Sequence, residues 1–140
     1  MNLKKAVKTL GRVFKEWGLD FTVTLEADKD RVRATNELTI DGHDDHVFAD
    51  FRFYDGGAAE YLFTFDKLER NAETLALVNS FNEEIPWFKA YIDDEYLRLS
   101  HVVCNLTEDN LADYTSHILS DLVDEDVKAK LIPLTVLTVD

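Results

Sequence analysis

Two imidazoles and two carboxylates stand together in His43-Asp44-Asp45-His46, the nearest approach to a metal motif in the sequence. Histidine is the commonest metal ligand and aspartate supplies hard oxygens, so His43 and His46 are the residues a metal-dependent enzyme would use. Two features oppose that reading. The four residues fall in or beside an expected hairpin turn, where aspartate is favoured for its hydrogen bonds to the backbone. His43 and His46 are also three positions apart, so on a strand they need not converge, and no second cluster completes a four-ligand site. The expectation is therefore a turn without metal.

Other reactive side chains are similarly isolated. Asp93-Asp94-Glu95 lacks the length and glycine placement of an EF-hand loop and reads as a solvated turn. Cys104 has no histidine at a spacing that would pair with it, and one cysteine excludes an internal disulfide. Ser116 and His117 are adjacent on an expected helix and point in different directions. His101 is unpaired in the sequence. Phosphate-binding, dinucleotide-binding, zinc-protease and nucleophile-elbow motifs are absent. The residues thus point to a protein that is not an enzyme and that carries no cofactor.

The elements that would position these side chains follow from periodicity. Residues 2–17 repeat apolar side chains at helical steps (Leu3, Ala6, Val7, Leu10, Val13, Phe14, Trp17), with Asn2 as N-cap and Gly18 as the terminating glycine. A period of two then begins at Phe21, Val23 and Leu25. It continues through Val32–Ile40, Val47–Tyr54 and Ala59–Phe65, with turns at Asp28-Lys29-Asp30, Asp41-Gly42 and Asp55-Gly56. These segments predict a four-stranded meander. Phe48, Tyr54 and Leu62 fall on the face turned from its core and form a candidate protein-contact surface.

Helical spacing returns over 71–84, with Leu75, Val78, Phe81 and Asn82 on one face and Asn71 or Thr74 as the cap. Strands are expected at 87–92 and 96–104. A helix capped by Thr107 follows, buried through Leu111, Tyr114, Ile118 and Leu122. A short helix at 125–131 should end before Pro133, leaving Leu134–Val139 as a terminal strand or ordered tail. The whole, 1–140, reads as one α+β domain: an antiparallel sheet with helices on one face.

Composition agrees with a chain that folds. Hydrophobic residues make up 46 %, with nine Phe, five Tyr and two Trp to fill a core. No apolar run is long enough for a membrane span, and no signal-peptide pattern opens the sequence, so the expected location is cytoplasmic and away from membranes. The net charge of -13 opposes direct nucleic acid binding. It also leaves an alternative, an acidic nucleic-acid mimic that occupies a DNA-binding partner. That charge is polarised: residues 1–18 carry about +4, against a strongly acidic remainder.

Three stretches, Leu77-Val78-Asn79-Ser80-Phe81-Asn82, Phe88-Lys89-Ala90-Tyr91-Ile92-Asp93 and Tyr96-Leu97-Arg98-Leu99, resemble the YbjN family of bacterial sensory-transduction regulators. That family is similar in fold to type III secretion chaperones, with helix, three strands, helix, two strands and helix. The resemblance implies a non-enzymatic, chaperone- or regulator-like homodimer that binds a protein or peptide partner, and it supplies no catalytic residues. The strand near 58–65 and the tail after Pro133 depart from its pattern.

Overall fold

The computed structural model describes residues 1–40 and 47–139. Its elements are helix α1 (Leu3–Glu16), strands β1 (Thr22–Glu26), β2 (Arg31–Leu38), β3 (Val47–Tyr54) and β4 (Ala59–Lys67), helix α2 (Ala72–Glu84), strands β5 (Lys89–Asp93) and β6 (Tyr96–Val103), and helices α3 (Leu111–Leu122) and α4 (Glu125–Thr135). The strands form a six-stranded sheet in the order β1-β2-β3-β4-β6-β5. The α+β class and the strand alternation are as expected from the sequence.

Two compact units partition the chain. The first comprises Met1–Asn36, Ala49–Tyr61 and Val102–Ser120; the second comprises Glu37–Phe48, Leu62–His101 and Asp121–Asp140.

In the first unit, α1 starts where the Asn2 side chain accepts the Lys5 N–H at 3.1 Å. It ends in a Schellman arrangement: Leu19 N–H donates to Phe14 O and Gly18 N–H to Lys15 O, with Gly18 at φ +70°. The buried residues Ala6, Leu10, Val13 and Phe14 face β1 and the aromatic core. Phe14 stacks on Phe21 at 4.0 Å between ring centroids, Phe21 meets Phe51 at 5.2 Å, and Phe51 meets Tyr61 edge-on at 4.9 Å. The Tyr61 hydroxyl lies 2.9 Å from that of Thr115 on α3, which satisfies both polar groups in an apolar surround. Burial pushes the Tyr61 phenol well above its ordinary pKa.

The turn expected at Asp28-Lys29-Asp30 is present, with Ala27–Lys29 in a short 3₁₀ turn and Asp30 left-handed at φ +49°; two other local expectations change in this unit. In the β3–β4 hairpin the left-handed residue is Gly57, at φ +94°, rather than Asp55 or Gly56. A side chain there would stand 2.7 Å from the Leu106 carbonyl oxygen, so both dihedral and space demand glycine. Thr107 does not cap α3: residues 107–110 make a separate turn, with Thr107 N–H donating to Asn110 Oδ1, and the helix opens at Leu111.

In the second unit, α2 carries a reciprocal cap. The Asn71 side chain accepts from Thr74 N–H and the Thr74 hydroxyl accepts from Asn71 N–H, both at 3.0 Å. Helix α2 packs against β5 and α4 through buried Thr74, Val78 and Phe81, whereas Leu75, expected inside, is 40 % exposed. Phe63 and Phe88 make an edge contact beside Leu97 and Leu99 in the core. Pro133 does not end α4, which runs on to Thr135. The ring removes one backbone donor, but Val136 N–H still reaches Ile132 O at 3.0 Å. Beyond it, Val139 pairs with Lys67 in a single antiparallel bridge, so the tail is anchored without forming a strand.

Candidate protein-binding edge

Strand β1 closes one end of the sheet order and β5 the other, and the two ends are built differently. An outermost antiparallel strand turns alternate N–H and C=O groups away from its neighbour, where they need another partner or water. On β5 both backbone groups of Ala90 and the carbonyl of Ile92 are occupied. Asn82 of α2 donates from Nδ2 to Ala90 O at 2.9 Å and accepts from Ala90 N–H at 2.7 Å, imitating a neighbouring strand. Arg70 Nη2 donates to Ile92 O at 2.8 Å. In the sequence Asn82 falls with Leu75, Val78 and Phe81 on one helical face, and its polarity there is the signal that could have marked it.

On β1 nothing among the described residues plays this part. Its sequence, Thr-Val-Thr-Leu-Glu, is rich in strand formers and lacks the lysine, proline or bulge that blunts many edges. In register with β2, Val23 lies opposite Ala34 and Leu25 opposite Val32. Ala34 and Val32 are fully buried, while Val23 and Leu25 on the same face are only half-buried. One more strand would complete that burial.

The edge is also held in place. Arg31 of β2 donates from Nε to Glu26 Oε1 at 2.6 Å on β1 and from Nη1 to the Tyr54 hydroxyl at 3.3 Å on β3, clasping three strands. The hydrogen bond to Arg31 holds the Glu26 carboxyl below its ordinary pKa. One step along, Arg33 grips Asp50 through two bonds, 3.0 and 2.8 Å, and Arg52 adds a third at 3.0 Å. Burial pushes the Asp50 carboxyl up, but the bonds from Arg33 and Arg52 outweigh it and the net shift is downward.

The residues expected to form a contact surface behave unequally. Phe48 is exposed at 41 %, as expected. Tyr54 is half-buried and engaged by Arg31, so it serves the clasp. Leu62 is buried at 8 %, on a strand with a neighbour on each side, and so is not the exposed contact residue expected.

His43 and His46 lie outside the described residues. Among the described residues no group of three or more His, Cys, Asp or Glu could hold a metal ion. Asp93 pairs with Arg98 at 3.6 Å, and Asp94 and Glu95 both adopt positive φ in the β5–β6 turn. Cys104 is exposed, and His101 Nδ1 contacts the Trp87 carbonyl. A cavity of about 480 Å³ in the second unit is lined by Lys67, Leu68, Arg70, Ile92, Glu95 and Val139 among others. Its mixed charges give it no single-sign field. No described helix is long and apolar enough to cross a membrane.

The chain matches no protein-family model and no curated protein.

Proposed function

We propose that this chain is a non-enzymatic protein-binding module, chaperone- or regulator-like, that takes an extended polypeptide segment as an added strand on β1. The observation that carries this reading is the outer side of β1, which has no partner among the described residues, set against a β5 whose Ala90 groups and Ile92 carbonyl are occupied. Strand addition draws its affinity from main-chain hydrogen bonds and its selectivity from alternate side chains. The half-buried Val23 and Leu25 supply the apolar component of such an interface. The resemblance to the YbjN family and to secretion chaperones points to the same class of activity. A second copy of the chain, pairing β1 with β1, is the competing occupant and would make the protein a homodimer.

Amide hydrogen exchange with a capped peptide of about ten residues, alternating glutamine and valine, tests the reading. Alternate amides of Thr22–Glu26 should become protected, while those of Lys89–Asp93 keep their exchange rates. The same peptide N-methylated at every second residue should protect nothing. Protection confined to other elements, or none, would refute strand addition at β1.

A further inference from the structure

The cavity of about 480 Å³ in the second unit is lined by three stretches of chain that hydrogen bonds tie together. Leu68 N–H donates to Glu95 O at 2.8 Å, and Lys67 and Val139 exchange backbone bonds of 3.1 and 2.8 Å. Arg70 Nη2 donates to Ile92 O at 2.8 Å. The walls are therefore set before any ligand arrives, which limits the ordering cost of binding. The volume falls within the roughly 300–1,000 Å³ of small-molecule sites.

Arg70 is the informative group. Its bond to Ile92 O fixes the guanidinium at the cavity wall but uses only part of its fork of N–H donors. The chain holds 28 Asp and Glu against 15 Lys and Arg, yet Arg70 forms no ion pair among the described residues. Glu69, Asp94 and Glu95 line the same cavity, and their side chains likewise pair with no cation among the described residues. Opposite charges thus border one space without neutralising each other. The lining is completed by buried Leu68 and Ile92 and by exposed Val139. The β5–β6 turn that carries two of the carboxylates has positive φ at both Asp94 (+50°) and Glu95 (+70°), where glycine is usual at the second position. Glutamate there keeps a charge at the cavity at a cost in backbone energy.

We propose that this cavity binds a small zwitterion with an apolar side chain, of amino acid or dipeptide size. Its carboxylate takes the unspent donors of Arg70, a planar fork suited to paired bonds with two oxygens. Its ammonium goes to the carboxylates of Glu69, Asp94 and Glu95, and its side chain lies against Leu68, Ile92 and Val139. A simple anion would answer Arg70 but face three carboxylates. A simple cation would leave Arg70 unanswered and be repelled by it. Lys67 has no part in this scheme, because its ammonium lies over the Tyr96 ring, 5.9 Å from the centroid.

Four forms of the dipeptide alanyl-leucine test the proposal by titration calorimetry on the full chain: unmodified, N-acetylated, C-amidated and blocked at both ends. The unmodified dipeptide should bind about tenfold more tightly than either singly blocked form, and added salt should narrow the gap. Arg70→Gln should abolish the preference for the free carboxylate and keep that for the free amine. The double variant Asp94→Asn, Glu95→Gln should do the reverse; asparagine tolerates the left-handed backbone at position 94. The four forms on the unaltered chain decide the proposal by themselves, whether or not the variants fold. Equal affinity for all four, a preference for the acetylated or the amidated form, or no binding at millimolar concentration would overturn it.

Discussion

The two outermost strands solve the same physical problem in opposite ways. Both have a ladder of backbone groups on only one side, and both belong to antiparallel pairs of five residues. Strand β5 has its Ala90 groups answered by Asn82 and its Ile92 carbonyl by Arg70, and its ends carry Lys89 and Asp93. Strand β1 is clasped from behind by Arg31 but has no partner in front among the described residues, with uncharged threonines exposed and two apolar side chains half covered. Covering an edge protects it against indiscriminate pairing, whereas an uncovered edge is what strand addition, as proposed, would use.

The largest expected effect comes from opening the closed edge. Asn82→Ala removes two hydrogen bonds and strands both Ala90 groups in a part-buried position, so it should lower stability by about 3 kcal/mol in urea unfolding. Exchange at Ala90 should accelerate, and the variant should associate through β5. If stability and exchange are unchanged, the side chain is not what closes this edge.

Asp50→Asn weakens the support behind the open edge and should cost about 2 kcal/mol at neutral pH. Its pH dependence has a definite sign. The folded carboxyl titrates below its ordinary value of 3.8, so the stability it contributes is fully present above about pH 4. That contribution is lost as pH falls through the depressed folded value. Stability curves of the two proteins should therefore converge in acid, and a gap that persists there would deny the carboxylate its role.

Arg70→Met removes the single bond to Ile92 O and should cost about 1 kcal/mol, with faster exchange confined to the end of β5. The smallest change in global stability is expected for Arg31→Met. It releases Glu26 and Tyr54, and its effect should be seen as faster exchange along Thr22–Glu26 and weaker peptide binding. Equal peptide affinity in this variant would mean that the clasp does not preorganise β1.

Much of the architecture was legible because it depends on local periodicity. The alternation of Val47, Ala49, Phe51 and Phe53 and the helical repeat of Leu3 to Trp17 express burial on one face, which any tertiary arrangement of those elements must respect. The caps at Asn2, Gly18 and Asn71 were equally readable, since they satisfy backbone groups within a few residues. Leu62 and Leu75 were misplaced because periodicity assigns a face but not what lies against it. Pro133 misled for a related reason: one missing backbone donor need not stop a helix whose Val127, Leu131 and Leu134 are packed inside.

The candidate site shows where that legibility stops. The sequence alone determined the polarised charge, the basic α1 and a strand of Thr, Val and Leu after it, because composition and spacing are properties of the chain. It did not determine that this strand ends the sheet, that α3 occupies one flank of α1, or that Asn82 and Arg70 reach across to β5. Those depend on contacts between residues far apart in the chain, such as Trp17 with Ser116 and Arg70 with Ile92. Strand order is chosen by the summed packing of all elements, so only the tertiary structure decided which strands end the sheet and which of them α2 covers.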